Sequence, residues 1–268
     1  MNPVGLGRII GLLEDLAPFS LAEDWDNVGL MVGSEADLIS GVMVALDATP
    51  EAVEAARRAG ANLLLTHHPL LFKPLSAVDP SQPTGAVVYQ AIREGLSIVA
   101  AHTNLDSARG GVNDILADLL GLVRTRPLVP VADRTGVGMG RVGVLDGPRR
   151  LGEGVEEVKE ALGTASVRVV GPHDKMISEV AVCGGSGGDL VGPAKESGAD
   201  LLITGEAAHH QAREAEFFGL ALIEAGHYAT EVPVVPVLAR RLEEALKTAG
   251  FPLAVTIFEE ERAPFKPC

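Results

Sequence analysis

The sequence predicts an α/β fold built of two related halves. Two observations lead to that class. Hydrophobic patterning switches repeatedly between short β-branched runs and longer helical stretches punctuated by Gly or Pro, and one stretch of the chain matches a later one at a constant offset. Val42-Met43-Val44-Ala45-Leu46 has the unbroken apolar character of a buried strand. The next segment, from Pro50 to Arg58, places its acid first and its bases last, the order that complements a helix dipole. Leu63-Leu64-Leu65 reads as another strand, followed by a helix over 84–94, a strand over 97–101 and a helix from about Val112 to Leu120. A strand at 142–145, a helix at 153–162 and a strand at 167–170 continue the alternation. The segment 122–140 holds Pro127, Pro130 and several glycines and is the expected boundary, giving halves at 1–125 and 126–268.

The repeat is explicit. Residues 42–66 align without gaps on residues 180–204 at an offset of 138, and nine of the 25 positions are identical. Composition alone would give roughly two or three matches in such a window. Gly60-Ala61-Asn62-Leu63-Leu64-Leu65-Thr66 faces Gly198-Ala199-Asp200-Leu201-Leu202-Ile203-Thr204. A second pair follows, in which Gly95 to His102 resembles Gly219 to His227 with one extra residue in the later copy. Four residues past each of these histidines stands a carboxylate, Asp106 and Glu231. Related halves of this kind are expected to turn their strand ends toward a common cleft, where open α/β sheets place ligands.

Composition bounds the function. The chain has 268 residues, 47% hydrophobic and 22% charged, enough for a sizeable core. Its 22 basic and 36 acidic residues give a formal net charge of −14, which argues against a general nucleic-acid binder. Cys183 and Cys268 are too few for a disulfide framework or a thiolate zinc site. Near the N-terminus the apolar run meets Glu14 and Asp15 before reaching signal-peptide length, and no later stretch approaches a membrane span. A soluble, cytoplasmic protein with no membrane partner is expected.

Histidines concentrate after predicted strands: His67, His68, His102, His227 and, less directly, His209 or His210. In His67-His68-Pro69, the proline biases His68 toward an extended backbone, and adjacent extended residues point in opposite directions. One imidazole is therefore expected to reach each of two neighbouring ions. Imidazole with carboxylate and no thiolate suits Zn, Mn, Fe, Co or Ni, and paired ions need a bridging oxygen, which Asp106 and Glu231 can supply. The expected ligand set is His67, His68, Asp106, His227 and Glu231, holding two divalent transition-metal ions in the cleft between the halves. A His-His pair before proline could also merely cap a strand; recurrence of His-x-x-x-Asp/Glu in both halves favours the metal reading.

Other residues are less decisive. Glu206 and His210, four apart at the start of a predicted helix, suit partners of the ligands or proton carriers, and equally a capping acid and a solvated histidine. Gly184-Gly185-Ser186-Gly187-Gly188 could offer N–H groups to a phosphate, although it matches neither the dinucleotide nor the P-loop pattern. His173, in Pro172-His173-Asp174, reads as an ordinary surface histidine. Trp25, the sole tryptophan, is expected to anchor its loop in the core, with Asp26 or Asn27 over the cleft as the functional alternative.

Trp25-Asp26-Asn27-Val28-Gly29-Leu30, Leu65-Thr66-His67-His68-Pro69, His102-Thr103-Asn104-Leu105-Asp106, Thr204-Gly205-Glu206 and Gly226-His227-Tyr228-Ala229-Thr230-Glu231 together resemble the NIF-three-like family. Its members are widely labelled "GTP cyclohydrolase 1 type 2 homolog" and described as dinuclear metal-centre proteins. The likeness runs in order through essentially the whole chain. It implies a two-part α/β fold, a dinuclear site on His67, His68, Asp106, His227 and Glu231, and a ring-shaped homohexamer. Glu206 departs from the Asp of many relatives. The activity implied is metal-dependent hydrolysis, in which activated water attacks an electrophilic carbon or phosphorus, with the purine ring of GTP as the specific substrate and His102 or His210 as proton carriers. A hexameric metal-binding or regulatory scaffold without turnover, and a phosphoesterase, are the alternatives.

Overall fold

The computed structural model describes residues 3–266, in two compact units. One runs from the N-terminal residues to Ala108 and resumes at Val234–Glu261; the other comprises Arg109–Pro233 and residues from Arg262 on.

In the first unit a five-stranded sheet has the order Ala254–Ile257, Gly41–Ala45, Leu63–Thr66, Ser97–Ala100, Gly29–Val32. The first four strands are parallel and the last is antiparallel to its neighbour. The three central strands are buried at every residue, as a parallel sheet covered on both faces requires, and this is why they read as unbroken apolar runs. The expected helix at 50–58 starts on Thr49, whose hydroxyl accepts from the Ala52 N–H at 3.1 Å, with Pro50 in the first turn. The next helix, Pro83–Glu94, stops on Gly95 in the left-handed conformation. Val53, Leu64, Val87 and Ile98 pack in one cluster with Phe258, which the returning chain supplies.

That return corrects the expected division at 125/126. The helix Val234–Thr248 and the strand Ala254–Ile257 lie in the first unit, and Ala254 to Ile257 pair in register with Gly41 to Val44. Residues 122–140 are also not a linker. Val123–Pro130 is an edge strand paired with Gly138–Arg150, which lengthens the strand expected at 142–145. An edge strand needs ladder bonds on one side only, so Pro127 and Pro130 are tolerated there.

The second unit's sheet has the order Val123–Pro130, Gly138–Arg150, Met176–Cys183, Leu201–Thr204, Ala221–Glu224, Arg168–Val170. Its Met176–Cys183, Leu201–Thr204 and Ala221–Glu224 strands are parallel and reproduce the repeat bond for bond. Val42 opposite Leu63 recurs as Val180 opposite Leu201, and Leu63 opposite Ser97 recurs as Leu201 opposite Ala221. Past the strands, Ala101 N–H donates to Thr66 O at 2.9 Å, and Ala225 N–H to Thr204 O at 2.8 Å. The fold class is α/β, as expected. Among the described residues no helix is long and apolar enough to cross a membrane. Cys183 is buried, and Cys268 lies outside the described residues.

Candidate metal centre

In the first unit, parallel strands release the chain at their carboxyl ends, the usual ligand-binding edge of such sheets. Asp47 follows Gly41–Ala45, His67 and His68 follow Leu63–Thr66, and His102 follows Ser97–Ala100. The antiparallel strand Gly29–Val32 begins at that same edge and brings Asp26 to it.

The two adjacent histidines do not diverge as expected. His67 N–H donates to Ala45 O at 3.2 Å and His68 N–H to Leu46 O at 2.9 Å, so successive amides turn to one neighbouring segment. A pleated strand alternates these directions, and the chain here leaves the pleat. The two rings consequently lie side by side, with centroids 5.0 Å apart.

Each imidazole of the cluster is fixed through Nδ1. His67 Nδ1 donates to Ala101 O at 2.9 Å, His68 Nδ1 to Asp47 Oδ1 at 2.8 Å, and His102 Nδ1 to Asp26 Oδ1 at 2.8 Å. Partners that only accept place the proton on Nδ1 and the lone pair on Nε2, the arrangement that orients metal-binding histidines. One ring nitrogen from each of His67, His68 and His102 lies within 4.8 Å of the others. His102, expected as a proton carrier, thus stands among the prospective ligands. Asp106, four residues on in the one-turn helix Thr103–Ser107, has Oδ1 3.6 Å from His67 Nε2. Three imidazoles and a carboxylate without thiolate form a donor set that fits a first-row divalent ion.

Asp26 is the hub of this edge. Its carboxylate accepts from His102, from the Thr103 N–H at 3.1 Å and from the Thr103 hydroxyl at 2.5 Å. Burial by itself would raise its pKa, but the hydrogen bonds from His102 and Thr103, together with the His102 charge, bring it down to about 2. Behind Asp47, Glu261 accepts from the Leu46 N–H at 2.7 Å and the Asp47 N–H at 2.9 Å. Burial pushes the Glu261 carboxyl above its ordinary range, against those two bonds. Neither Asp47 nor Glu261 emerged from the sequence. The repeat could not flag Asp47, whose counterpart 138 residues later is Gly185.

In the second unit His227 and Glu231 bracket another one-turn helix, with His227 Nε2 3.0 Å from Glu231 Oε2. Glu206 Oε1 lies 3.4 Å from His227 Nδ1. The expected helical pairing of Glu206 with His210 is corrected: that helix begins at His209, so Glu206 precedes it and turns to His227, while His210 is exposed in the first turn. The extra residue of the second copy is Gly226, at φ 94°. Asp106 N–H bonds to His102 O at 3.0 Å, and Thr230 N–H to Gly226 O at 3.2 Å. Gly226 therefore holds the backbone place of His102, and His227 sits one residue further, inside the helix.

The glycine run makes room for Glu231. Gly185 has φ +62°, and a Cβ there would fall 2.1 Å from Glu231 Oε1. Gly184, Gly185 and Gly187 N–H groups donate to Asn113, Thr230 and Thr204 side chains at 2.9, 3.1 and 3.0 Å. Those three donors are committed within the unit and are not offered to a phosphate, and the loop acts as a spacer for Glu231. Trp25 is likewise not a core anchor: it is 59% exposed, with its ring centroid 5.8 Å from that of Phe72.

The chain is similar to proteins of one family throughout. It is 36% identical over 259 residues to a protein of Clostridium acetobutylicum called "GTP cyclohydrolase 1 type 2 homolog", covering 96% of this chain and 97% of that one. A Streptomyces coelicolor protein of the same name is 37% identical over 265 residues, covering 97% and 93%. The crystal structure of a Bacillus cereus protein related to NIF3 superposes with a TM-score of 0.93 at 26% identity, over 98% of this chain and 99% of that one. The family model Duf34/NIF3 (NGG1p interacting factor 3) matches residues 4–264, and the chain belongs to that family.

Proposed function

We propose that the chain is a metal-dependent hydrolase that takes two divalent transition-metal ions on His67, His68, Asp106, His227 and Glu231 and acts on a purine nucleotide such as GTP. The observation that carries this reading is the trio of histidines fixed through Nδ1 to Asp26, Asp47 and Ala101. Recurrence of the His-x-x-x-carboxylate motif in both repeats and the label borne by the relatives support the wider ligand set and the substrate. When bound, the ions supply Lewis acidity and activated water. Asp26 and Asp47 hold the imidazole tautomers, and Glu206, beside His227 Nδ1, does the same for the second repeat. His102 stands in the same cluster as a further ligand or as the proton carrier to and from the substrate, with His210 as the alternative carrier. The family resemblance further supports a homohexamer in the cytoplasm, which light scattering at micromolar concentration tests: a monomer rejects it.

The activity is tested by incubating purified protein with GTP and each of Zn, Mn, Fe, Co and Ni, measuring formate and orthophosphate together. Formate release is the expected result and marks ring opening. Phosphate without formate marks a phosphoesterase. Neither product with any metal, from protein that binds two ions, rejects a hydrolase of GTP and favours the regulatory scaffold.

A further inference from the structure

We propose that Trp25 and Phe72 form a clamp for a planar heteroaromatic ring beside His102, and that the ring it takes is a nucleobase. The inference rests on the reading of the histidine cluster as the reaction centre and adds the residues that would recognise the ligand. Aromatic residues are scarce in the chain, at 4%, and Trp25 is the sole tryptophan. Yet Trp25 is 59% exposed and Phe72 is 46% exposed, side by side. Large aromatic side chains ordinarily stabilise a fold by burial, so two neighbouring exposed rings mark a surface that meets something.

The geometry indicates what that is. The two ring planes meet at 52°, an open notch rather than a closed stack, so both rings keep aromatic face to offer. His102 stands steeply inclined to each, with centroids 6.3 Å from Trp25 and 6.4 Å from Phe72 at interplanar angles of 75° and 81°. A flat ring resting on the notch is thereby placed next to a prospective ligand histidine. Sugars and phosphates lack the π-face that such a surface rewards, whereas every nucleobase has one.

The notch is also held in place. Asp26, adjacent to Trp25, binds His102 and Thr103, and its own N–H donates to Glu23 O at 2.9 Å. Asn27 Nδ2 donates to Leu71 O at 2.5 Å, tying the Trp25 loop to the residue before Phe72. One loop therefore both orients His102 and presents the aromatic face, so base recognition and the histidine cluster share a single support.

The sole tryptophan makes the proposal directly readable. Intrinsic fluorescence of the purified protein is titrated with guanosine and, as a probe without a base, with ribose 5-phosphate, both with chelator and with bound metal. Guanosine is expected to quench saturably and ribose 5-phosphate not at all. Phe72→Leu should raise the guanosine midpoint about tenfold, the lower part of the range for removing one stacking partner, while Phe217→Leu, another exposed ring, leaves it unchanged. Absence of saturable quenching overturns the clamp, as does equal quenching by ribose 5-phosphate or an unchanged midpoint in a folded Phe72→Leu protein. Emission that shifts to the blue with protein concentration and ignores guanosine overturns it too, assigning the rings to contact with a second copy. The readout needs no turnover. Product release without quenching removes the clamp and leaves the hydrolase, whereas quenching without product release leaves the clamp and removes the hydrolase.

Discussion

His102 Nδ1 lies 2.8 Å from Asp26 Oδ1, on a carboxylate whose other oxygen is bound by the Thr103 amide and hydroxyl. Asp26 cannot rotate away without breaking three bonds, and His102 is thereby aimed. Asp26→Asn keeps the size and one acceptor but removes the charge that favours Nδ1–H and the basicity it lends to Nε2. Metal affinity should fall by about 10–100-fold, the range for outer partners of metal-binding histidines, while the number of ions at saturation stays the same. Calorimetric titration of zinc into the two proteins checks this; equal affinities would remove Asp26 from the support of the site.

The same pair predicts an acid dependence. The Asp26 carboxyl is lowered from 3.8 to about 2 in the fold, so above the unfolded value the native state gains from its ionisation. That gain is fully present above about pH 4 and is lost as pH falls through the folded value. With screening by solvent it amounts to about 1–2 kcal/mol. Urea unfolding of the metal-free protein and of Asp26→Asn should show a stability gap at about pH 4 that closes toward pH 2. A gap that holds at pH 2 contradicts the assignment.

The repeat was legible because parallel strands buried on both faces leave unbroken apolar runs, and Leu63-Leu64-Leu65 against Leu201-Leu202-Ile203 carries that imprint directly. The ligand candidates were legible because they follow those runs. What holds them was not. Asp26 meets His102 across 76 residues and Asp47 meets His68 across 21, and no local pattern marks a carboxylate for a distant imidazole. The return of Ala254–Ile257 to the first sheet escaped for a related reason: an edge strand, partly exposed, lacks the apolar run of a central one. Trp25 misled because hydrophobicity predicts burial, and only the structure reveals its exposure beside Phe72. Motif spacing treated His102 and His227 as equivalents, although the inserted Gly226 gives them different backbone roles.

Substitution at Glu231 separates ligand from bystander. Glu231 is 3% exposed and 3.0 Å from His227 Nε2, and Glu231→Gln removes the charge while nearly preserving the volume. Metal affinity should drop by far more than stability. His173→Gln, on an exposed loop outside both repeat matches, should change neither. His102→Gln decides its own role: loss of one ion marks a direct ligand, and two ions bound about 10–100-fold more weakly mark a supporting residue. Titrating metal into the three variants and counting the bound ions reads all three, and identical behaviour of Glu231→Gln and His173→Gln would refute the assigned ligand set.

Two glycines test whether the spacer loop exists for the carboxylate. At Gly185 the backbone is left-handed, and an added Cβ would meet Glu231 Oε1 at 2.1 Å, so Gly185→Ala must strain the backbone and displace the carboxylate together. It should destabilise the protein by about 1–3 kcal/mol and weaken metal binding alongside Glu231→Gln. Gly11 provides the opposite case within the helix Leu6–Leu16, where an added Cβ meets nothing within 4 Å and φ is not left-handed. Gly11→Ala should stabilise by about 0.5–1 kcal/mol, through helix propensity and a less flexible unfolded chain, with metal binding untouched. Thermal unfolding and metal titration of both variants give the answer. If Gly185→Ala loses stability yet binds metal as the wild type does, the loop serves the fold alone, and Glu231 is not held in place by the space the glycine leaves.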